Sequence, residues 1–465
     1  MRGSHLVPAA SQGKLRAVNE PLSPTIPWHR RLLDARPGEG ASIAWATALF
    51  FLLLCANSLL KPVREALGID RGADDLVWVW GGTLALSLVV QPLFASLMAR
   101  TSRRRFVPIV YGGGIVILLL FRAAFEFAPA EWRTYVGYGF YIWFSVFNVF
   151  ALSIFWGFAA DLFRLEQAKR LFAFISVGGT TGAVTGSWLA RSLAEPLGTV
   201  NLMFVGSAIL VPAIVCVRAL THIHPVDAPR APGVEGTAAP SPWRGLEYIR
   251  KSPYLRGICA FTLFHTLFST ILYFQQAHLV SAALPERNAR TEYFATVDLV
   301  SNSLTLFLQL FVTGMLMRRL GVGFALITQP LVASLACLGL GLMIWRGADL
   351  VGGGWSFAWP PELVSVAAAR VLLSASNYAT AKPARESLYT VVERDAKYAS
   401  KSFIDTFVYR GGDLIGGWTF TLLSKYLGVS LAAIALGAAP VALVWLGVGI
   451  LLGRAQTRLA RESEP

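Results

Sequence analysis

The pattern Lys-Pro-x-Arg-Glu-x-Leu occurs twice in the chain, and its charged residues could bind a multiply charged anion. Each copy contributes one lysine, one arginine and one glutamate: Lys61, Arg64 and Glu65 in the first copy, and Lys382, Arg385 and Glu386 in the second. Lysine and arginine three residues apart share one face of a helix, and the proline between them removes a backbone donor. Arginine binds phosphate oxygens as a fork, whereas lysine acts as a point charge. This spacing predicts an anion-binding site.

Two other interpretations of the pattern stay open. Lysine and glutamate are four residues apart in each copy, so Lys61 with Glu65 and Lys382 with Glu386 could form local, purely structural pairs. Alternatively, the charges could form salt bridges between two halves of the protein that open and close a gate. Ionisable residues within a membrane are functional by default, which favours binding or gating.

The composition places these charges in a membrane protein. Of 465 residues, 55% are hydrophobic and 15% are charged, whereas a soluble protein has about 25% charged residues. The apolar segments are continuous and long enough for membrane helices of about 20 residues, without the alternation of a barrel. We predict an all-α integral membrane protein with about 12 transmembrane helices. The predicted spans are 42–66, 76–99, 106–127, 135–160, 171–193, 200–219, 254–280, 293–317, 322–345, 360–386, 400–424 and 428–452.

Charge and linker positions predict the topology. Most of the 41 Lys and Arg fall in the tails and in the loops after even-numbered spans, which predicts cytoplasmic N- and C-termini. A net charge of +14 without a basic stripe and interleaved aromatics indicates contact with anionic membrane lipids, not nucleic acid. The Pro/Gly-rich segment 221–243 divides the chain into two six-helix bundles. The predicted parts are an N-terminal tail 1–40, a first bundle 41–220, a linker with an amphipathic surface helix 221–252, a second bundle 253–453 and a C-terminal tail 454–465.

The two bundles share a glycine pattern. Gly178, Gly182 and Gly186 recur every four residues in the fifth span, as Gly412 and Gly416 do in the eleventh. Small residues at this spacing allow helices to approach closely. We interpret them as packing residues of an internal repeat.

Other polar residues within the spans predict a shared cavity, because a polar face turned towards lipid would be costly. Three asparagines join the cationic faces as candidate substrate-binding residues: Asn57, Asn148 and Asn377. Three aspartates are candidates for gating or for proton coupling, together with Glu65 and Glu386: Asp298, Asp405 and Asp413. Lys401 and Asp405 are four residues apart and could instead neutralise each other.

The motifs that the chain lacks exclude several functions. The sequence has no phosphate-binding G-x-x-x-x-G-K-[ST] loop, so gradients or exchange would have to drive transport. The four cysteines show no metal-ligand spacing, and no catalytic constellation is recognisable, so we expect no cofactor, no metal and no enzyme. Two alternatives to an exchanger of anions stay open. One is a proton-coupled carrier of another small solute, and the other is a non-transporting membrane enzyme or sensor.

Four segments resemble the ATP/ADP translocases of plastids and intracellular parasites, a family distantly related to the major facilitator superfamily. They are SLLKPVREALG (58–68), SIFWGFAADLFRLEQAKRLF (153–172), RTEYFATVD (290–298) and KPARESLYTVVERDAKYASKSFID (382–405). In that family, basic residues important for nucleotide transport align with Arg64 and Arg385. Two family glutamates align with Phe144 and near Tyr273, so the acidic half of the family's site is missing here.

The resemblance implies a secondary transporter that works by alternating access. It would exchange nucleotides such as ATP and ADP, or other phosphorylated or anionic metabolites. We expect a multi-pass protein of the bacterial inner membrane, and a monomer because the cavity would form within one chain.

Overall fold

The computed structural model describes residues 39–100, 103–163, 165–223, 242–351 and 358–463, and these residues are almost entirely helical. The predicted N-terminal tail, apart from 39–40, and linker residues 224–241 lie outside the described residues. The helices are α1 Gly40–Gly68, α2 Leu76–Arg100, α3 Arg103–Phe127, α4 Arg133–Leu162, α5 Leu165–Leu197, α6 Leu202–Ile223, α7 Pro242–Lys251, α8 Pro253–Ala283, α9 Arg287–Leu308, α10 Gly314–Val351, α11 Pro361–Ser376, α12 Lys382–Leu388, α13 Arg394–Phe403, α14 Tyr409–Thr421 and α15 Leu431–Ser463. Short 3₁₀ turns precede α4 and α6 and follow α12.

Seven helical stretches of the described chain are long and apolar enough to cross a membrane. One of them, Arg287–Gly347, is interrupted at Gly321, whose φ of +78° is a conformation that L side chains rarely adopt. At 1.5 Å per residue, 61 residues would extend about 90 Å, three times the hydrocarbon thickness, so the turn at Gly321 divides this stretch. The protein is thus a multi-pass membrane protein. Twelve crossings and cytoplasmic termini stay predictions.

The last helix is longer than the last predicted span. The sequence predicts that this span ends near 452 and that a cytoplasmic tail follows over 454–465, and α15 continues into this segment as far as Ser463. The basic residues of this segment are good helix formers, so polarity ends the apolar run without ending the helix.

Each half of the chain has its own hydrophobic core. One core contains residues from Ile43 to Leu220 together with Ala295, and the other contains residues from Ile249 to Leu452. A third core joins the halves, with Ile69 and Val77 from the first half and Phe274 and Phe294 from the second among its members.

The glycine pattern has the same packing role in both halves. An added Cβ at Gly182 would overlap the backbone oxygen of Phe51 in α1, so α5 and α1 approach closely. An added Cβ at Gly412 would overlap the side-chain oxygen of Thr266 in α8, where α14 crosses it. In each half, the first long helix is therefore packed tightly against the helix that carries these glycines.

Within the described residues, every π-helical turn lies in the second half. These turns follow α9, α11, α13 and α14, at Gln309–Thr313, Asn377–Ala381, Ile404–Val408 and Leu422–Tyr426. The turn Asn377–Ala381 directly precedes the second copy of the charged pattern, and thus π-helical geometry, which is frequent at functional sites, leads into that copy.

Candidate functional site

The first copy of the pattern connects the two halves through an ion pair. The Nζ atom of Lys61 lies 2.7 Å from Oδ1 of Asp298, and the two residues are 237 positions apart in the chain. Their side chains are 39% and 16% exposed, so the pair borders water-accessible space and is partly shielded from it. Lys61 of α1 is therefore neutralised by the other half and not by Glu65. The local pair of Lys61 with Glu65, which the spacing left open as a structural alternative, is not the ion pair that Lys61 forms.

The neighbouring arginine and glutamate form a buried network. Arg64 donates to Glu65 and, through Nη1, to the hydroxyl of Ser145 at 3.2 Å. The hydroxyl of Tyr273 in α8 donates to the other carboxylate oxygen of Glu65 at 2.5 Å, and it also contacts the Tyr141 hydroxyl at 2.8 Å. The Arg64 guanidinium lies 4.9 Å from the ring centroid of Tyr141, a cation–π distance. Glu65 is therefore held by one cation of its own half and one hydroxyl of the other half.

A small cavity of about 40 Å³ lies between the halves beside these residues. One water needs about 10–15 Å³ of such volume, whereas ligand sites usually provide about 300–1,000 Å³. In this conformation the cavity could accept a few waters or a small ion, but not a nucleotide. The lining residues are Lys61, Glu65, Tyr273, Gln276, Phe294, Val297, Asp298, Ser301, Arg370 and Ser374.

Arg370 supplies a third cation to this cluster. It projects from α11, donates from Nη1 to the backbone oxygen of Ser269 at 3.2 Å, and lies 5.7 Å from the ring centroid of Tyr273. The charges that line the cavity balance, with Lys61 and Arg370 against Glu65 and Asp298. Arg64, which binds Glu65 beside the cavity, gives the cluster one formal net positive charge. This surplus, in a low-dielectric site, attracts an anion.

Buried polar atoms near the cluster include three that have no hydrogen-bond partner in the described part of the chain. They are Oδ1 of Asn57, which lies one helical turn before Lys61, Nε of Arg64, and Nε2 of Gln276, which lines the cavity. Buried polar atoms are normally satisfied, so each is an available contact for water or for a bound solute. The structure thus places Asn57, Lys61, Arg64, Glu65 and Asp298 in one region.

Further contacts close the halves at the end of the molecule where α1 ends and α8 leads into α9, which we call the outer end. Arg287 binds both carboxylate oxygens of Asp70, at 2.9 and 2.5 Å. Arg290 donates to the backbone oxygen of Ile69 at 3.0 Å, and the rings of Trp78 and Trp418 lie 5.3 Å apart, edge to face. These contacts hold the two halves together at the outer end.

The second copy is satisfied within its own half. Arg385 is buried and donates to the Tyr409 hydroxyl, and Glu386 pairs with Lys401 at 2.5 Å. Lys382 lies 5.5 Å from the ring centroid of Tyr378. Both local pairs expected here, Lys382 with Glu386 and Lys401 with Asp405, are replaced by the pair that links α12 to α13.

The two copies lie in different layers of the molecule. Tyr273 of α8 contacts Glu65, whereas Tyr254 of the same helix donates to the backbone oxygen of Leu388, the last residue of the second copy, at 2.8 Å. These tyrosines are 19 residues apart, which is about 28 Å along a helix. The copies are separated because α1 and α11 run in opposite directions. The first copy lies near the C-terminal end of α1, and the second copy follows the C-terminal end of α11. We call the end at Leu388 the inner end.

The remaining predicted residues are distributed between these layers. Asn148 follows Ser145 by about one turn of α4 and is half-buried. Asn377 begins a π-helical turn after α11, and Asp405 lies in another after α13, where it is exposed. Asp413 accepts a 3.4 Å hydrogen bond from Thr270 within the second half. The structure therefore does not bring these residues into the hydrogen-bond network of the first copy.

Two residues of the cluster, Tyr273 and Arg370, are not among the candidate site residues, although each lies on a polar helix face that the sequence predicts to line the cavity. Arg370 could have been identified from its position, because a cation within a membrane span is functional by default. For Tyr273 the spacing with Gln276 and Ser269 indicates a polar face, but no pattern links it to a glutamate 208 residues away.

Comparison with known proteins identifies the family. The family model described as Major Facilitator Superfamily matches residues 40–384, about three quarters of the chain. This chain belongs to that superfamily. Solved structures agree on the fold: the nucleoside transporter NupG superposes with a TM-score of 0.58 at 14% identity, covering 90% of this chain and 98% of that one. A bacterial homologue of the iron transporter ferroportin, in an inward-facing state, superposes with a TM-score of 0.59 at 15% identity, covering 90% and 100%.

Two curated relatives are ADP,ATP carrier proteins, which confirms the family resemblance. The carrier of Chlamydia muridarum is 23% identical over 334 residues, 65% of this chain and 63% of its own length. The carrier of Chlamydia pneumoniae is 22% identical over 418 residues, 82% of this chain and 77% of its own length. The chain therefore spans slightly less than two thirds of the first relative and about three quarters of the second.

Proposed function

We propose that this transporter exchanges phosphorylated anions, with ATP and ADP as the first candidates, by alternating access in a bacterial inner membrane. The supporting observation is the cluster of Lys61, Arg64 and Arg370 at the junction of the halves, which keeps a net positive charge. The chlamydial ADP,ATP carriers are similar over most of this chain, which favours nucleotides among the anions. A twelve-helix monomer with cytoplasmic termini is part of the proposal.

The mechanism follows from the partners of these cations. Lys61 is bound to Asp298, and Arg64 is bound to Glu65, whose second oxygen is held by Tyr273. A substrate phosphate offers anionic oxygens as a carboxylate does, so it competes with these acids for the cations. Substrate binding would thus release the contacts between the halves and allow the outer end to open. Departure of the anion would allow the carboxylates to bind again.

Counterflow tests this proposal. Purified protein is reconstituted into vesicles loaded with unlabelled ATP, and the uptake of labelled ATP or ADP is followed. We expect uptake that requires internal nucleotide and that falls about 100-fold in Lys61→Ala and Arg64→Ala, since each change removes a charged contact to phosphate. The matched control is Arg122→Gln, whose arginine pairs with Glu126 and Asn201 away from the cavity. Uptake that persists in both alanine variants would contradict the proposal.

A proton-coupled carrier is the second candidate, because Asp298 pairs with a cation across the halves and could act as a proton acceptor when that pair opens. In this case an imposed pH gradient would drive uptake into vesicles without internal nucleotide. Asp298→Asn would abolish this uptake. Counterflow that is insensitive to the pH gradient would exclude this candidate.

A further inference from the structure

A large groove opens at the inner end of the second half, away from the cavity between the halves. It has a volume of about 710 Å³ and lies between the turn at Gly321 and the last third of α15. Its apolar wall includes Leu320 and Phe324, which are 54% and 42% exposed, and Ile450, which is 37% exposed. An apolar wall of this kind suits a hydrocarbon chain.

Arginines line the other part of the groove. Arg454, Arg458 and Arg461 are spaced by four and three residues, so they follow one another along one face of α15. Glu462 is the acidic member of the lining and lies 3.8 Å from Arg458. Three arginines against one glutamate leave the groove with two net positive charges.

The arginines and the apolar wall are separated along the membrane normal. With 33 residues, α15 is about 50 Å long, whereas the hydrocarbon core is about 30 Å thick, so its final turns extend beyond that core. Ile450 lies before the arginines in α15, and Arg454 to Arg461 cover about 10 Å of helix. The positive charges therefore begin where the apolar wall ends, at the depth of the headgroups.

We propose that this groove is a binding site for one anionic phospholipid of the inner leaflet. The headgroup phosphate contacts the three arginines of α15, and an acyl chain covers Leu320, Phe324 and Ile450. Charge complementarity selects an anionic headgroup over a zwitterionic one, since basic pockets between membrane helices bind such headgroups. A free phosphate would satisfy the arginines but leave the apolar wall uncovered, which favours the lipid.

Native mass spectrometry of the full chain in detergent tests the site, with dioleoyl phosphatidylglycerol and dioleoyl phosphatidylcholine offered in equal amounts. We expect one phosphatidylglycerol per chain, retained about tenfold more than phosphatidylcholine. The triple variant Arg454→Gln, Arg458→Gln, Arg461→Gln should retain both lipids equally. The single variant Arg458→Gln gives a smaller reduction in the same direction and serves if the triple variant does not fold.

The matched control removes three exposed arginines from the same end of the molecule but outside the groove, through Arg218→Gln, Arg244→Gln and Arg250→Gln. This control should keep the preference for phosphatidylglycerol. An equal reduction in the control would attribute the effect to unspecific surface charge and overturn the proposal. Displacement of phosphatidylglycerol by millimolar glycerol phosphate would also overturn it, because the groove would then recognise the phosphate alone.

Discussion

The two copies of Lys-Pro-x-Arg-Glu-x-Leu have the same charged residues, but their partners come from different halves of the protein. In the first copy, Lys61 and Glu65 contact Asp298 and Tyr273 of the other half. In the second copy, Arg385 and Glu386 contact Tyr409 and Lys401 of their own half. One sequence pattern therefore holds the halves together at one level and leaves them independent at another. Under the proposed exchange mechanism, this is the difference expected between a closed and an open level.

The buried pair of the first copy should be the most sensitive feature of this comparison. Arg64→Ala leaves Glu65 without its cation at a site where the side chains are 16% and 6% exposed. Removing one partner of a buried ion pair costs about 3–5 kcal/mol. We expect the unfolding free energy to fall by that amount, measured by thermal unfolding in detergent.

The matching change in the second copy is Arg385→Ala, which removes a hydrogen bond to the neutral hydroxyl of Tyr409. The unfolding free energy should fall by less, about 1–3 kcal/mol, because no buried carboxylate is left without its cation. The same thermal unfolding measurement compares the two variants. Equal destabilisation would contradict the asymmetry between the copies.

Packing glycines extend the comparison to the two halves. Gly182→Ala would place its Cβ against the backbone of Phe51, which cannot move aside, whereas Gly412→Ala would meet the side chain of Thr266, which can rotate. We expect about 2–3 kcal/mol of destabilisation for the first and about 1 kcal/mol for the second. Thermal unfolding measures both, and Gly113→Ala is the control because its Cβ would have no neighbour within 4 Å.

The pair between Lys61 and Asp298 should have a smaller, conformational effect. Asp298→Asn weakens one contact between the halves, and because Lys61 is 39% exposed we expect only about 1 kcal/mol, a roughly fivefold shift towards opening at the outer end. Labelling of a cysteine introduced at Ser301, which lines the cavity and is buried in this conformation, by a membrane-impermeant reagent from outside measures this opening. The charge swap of Lys61→Asp with Asp298→Lys should restore wild-type labelling. If labelling of the charge-swap variant differs from that of the wild type, the ion pair between Lys61 and Asp298 does not keep the outer end closed.

The exposed pair of the second copy should matter least for stability. Glu386 and Lys401 are 44% and 34% exposed, and such pairs contribute about 0–1 kcal/mol. Glu386→Gln should therefore leave thermal unfolding almost unchanged. Destabilisation as large as that of Arg64→Ala would contradict the prediction that this exposed pair contributes little to stability.

The sequence is sufficient to predict helices, the membrane and the residues of the first copy, because these depend on local composition and spacing. The sequence does not predict which charged residues form ion pairs with one another. Lys61 has a glutamate at the right helical spacing, but helix packing brings Asp298 closer, and Lys401 pairs with Glu386 in place of Asp405 for the same reason. Helix packing also separates the two copies, since the direction of each span decides the level at which its C-terminal end lies.

The π-helical turns have a mechanical consequence. Each widened turn disrupts the regular ladder of backbone hydrogen bonds, and in the described residues all of them belong to the second half. The described residues of the first half contain no such turn, so we expect that half to move as a rigid unit and the second half to bend. Strain that arises when an anion binds would be absorbed by bending near Asn377 and Ile404, so the second half should change its internal shape while the first rotates as a unit.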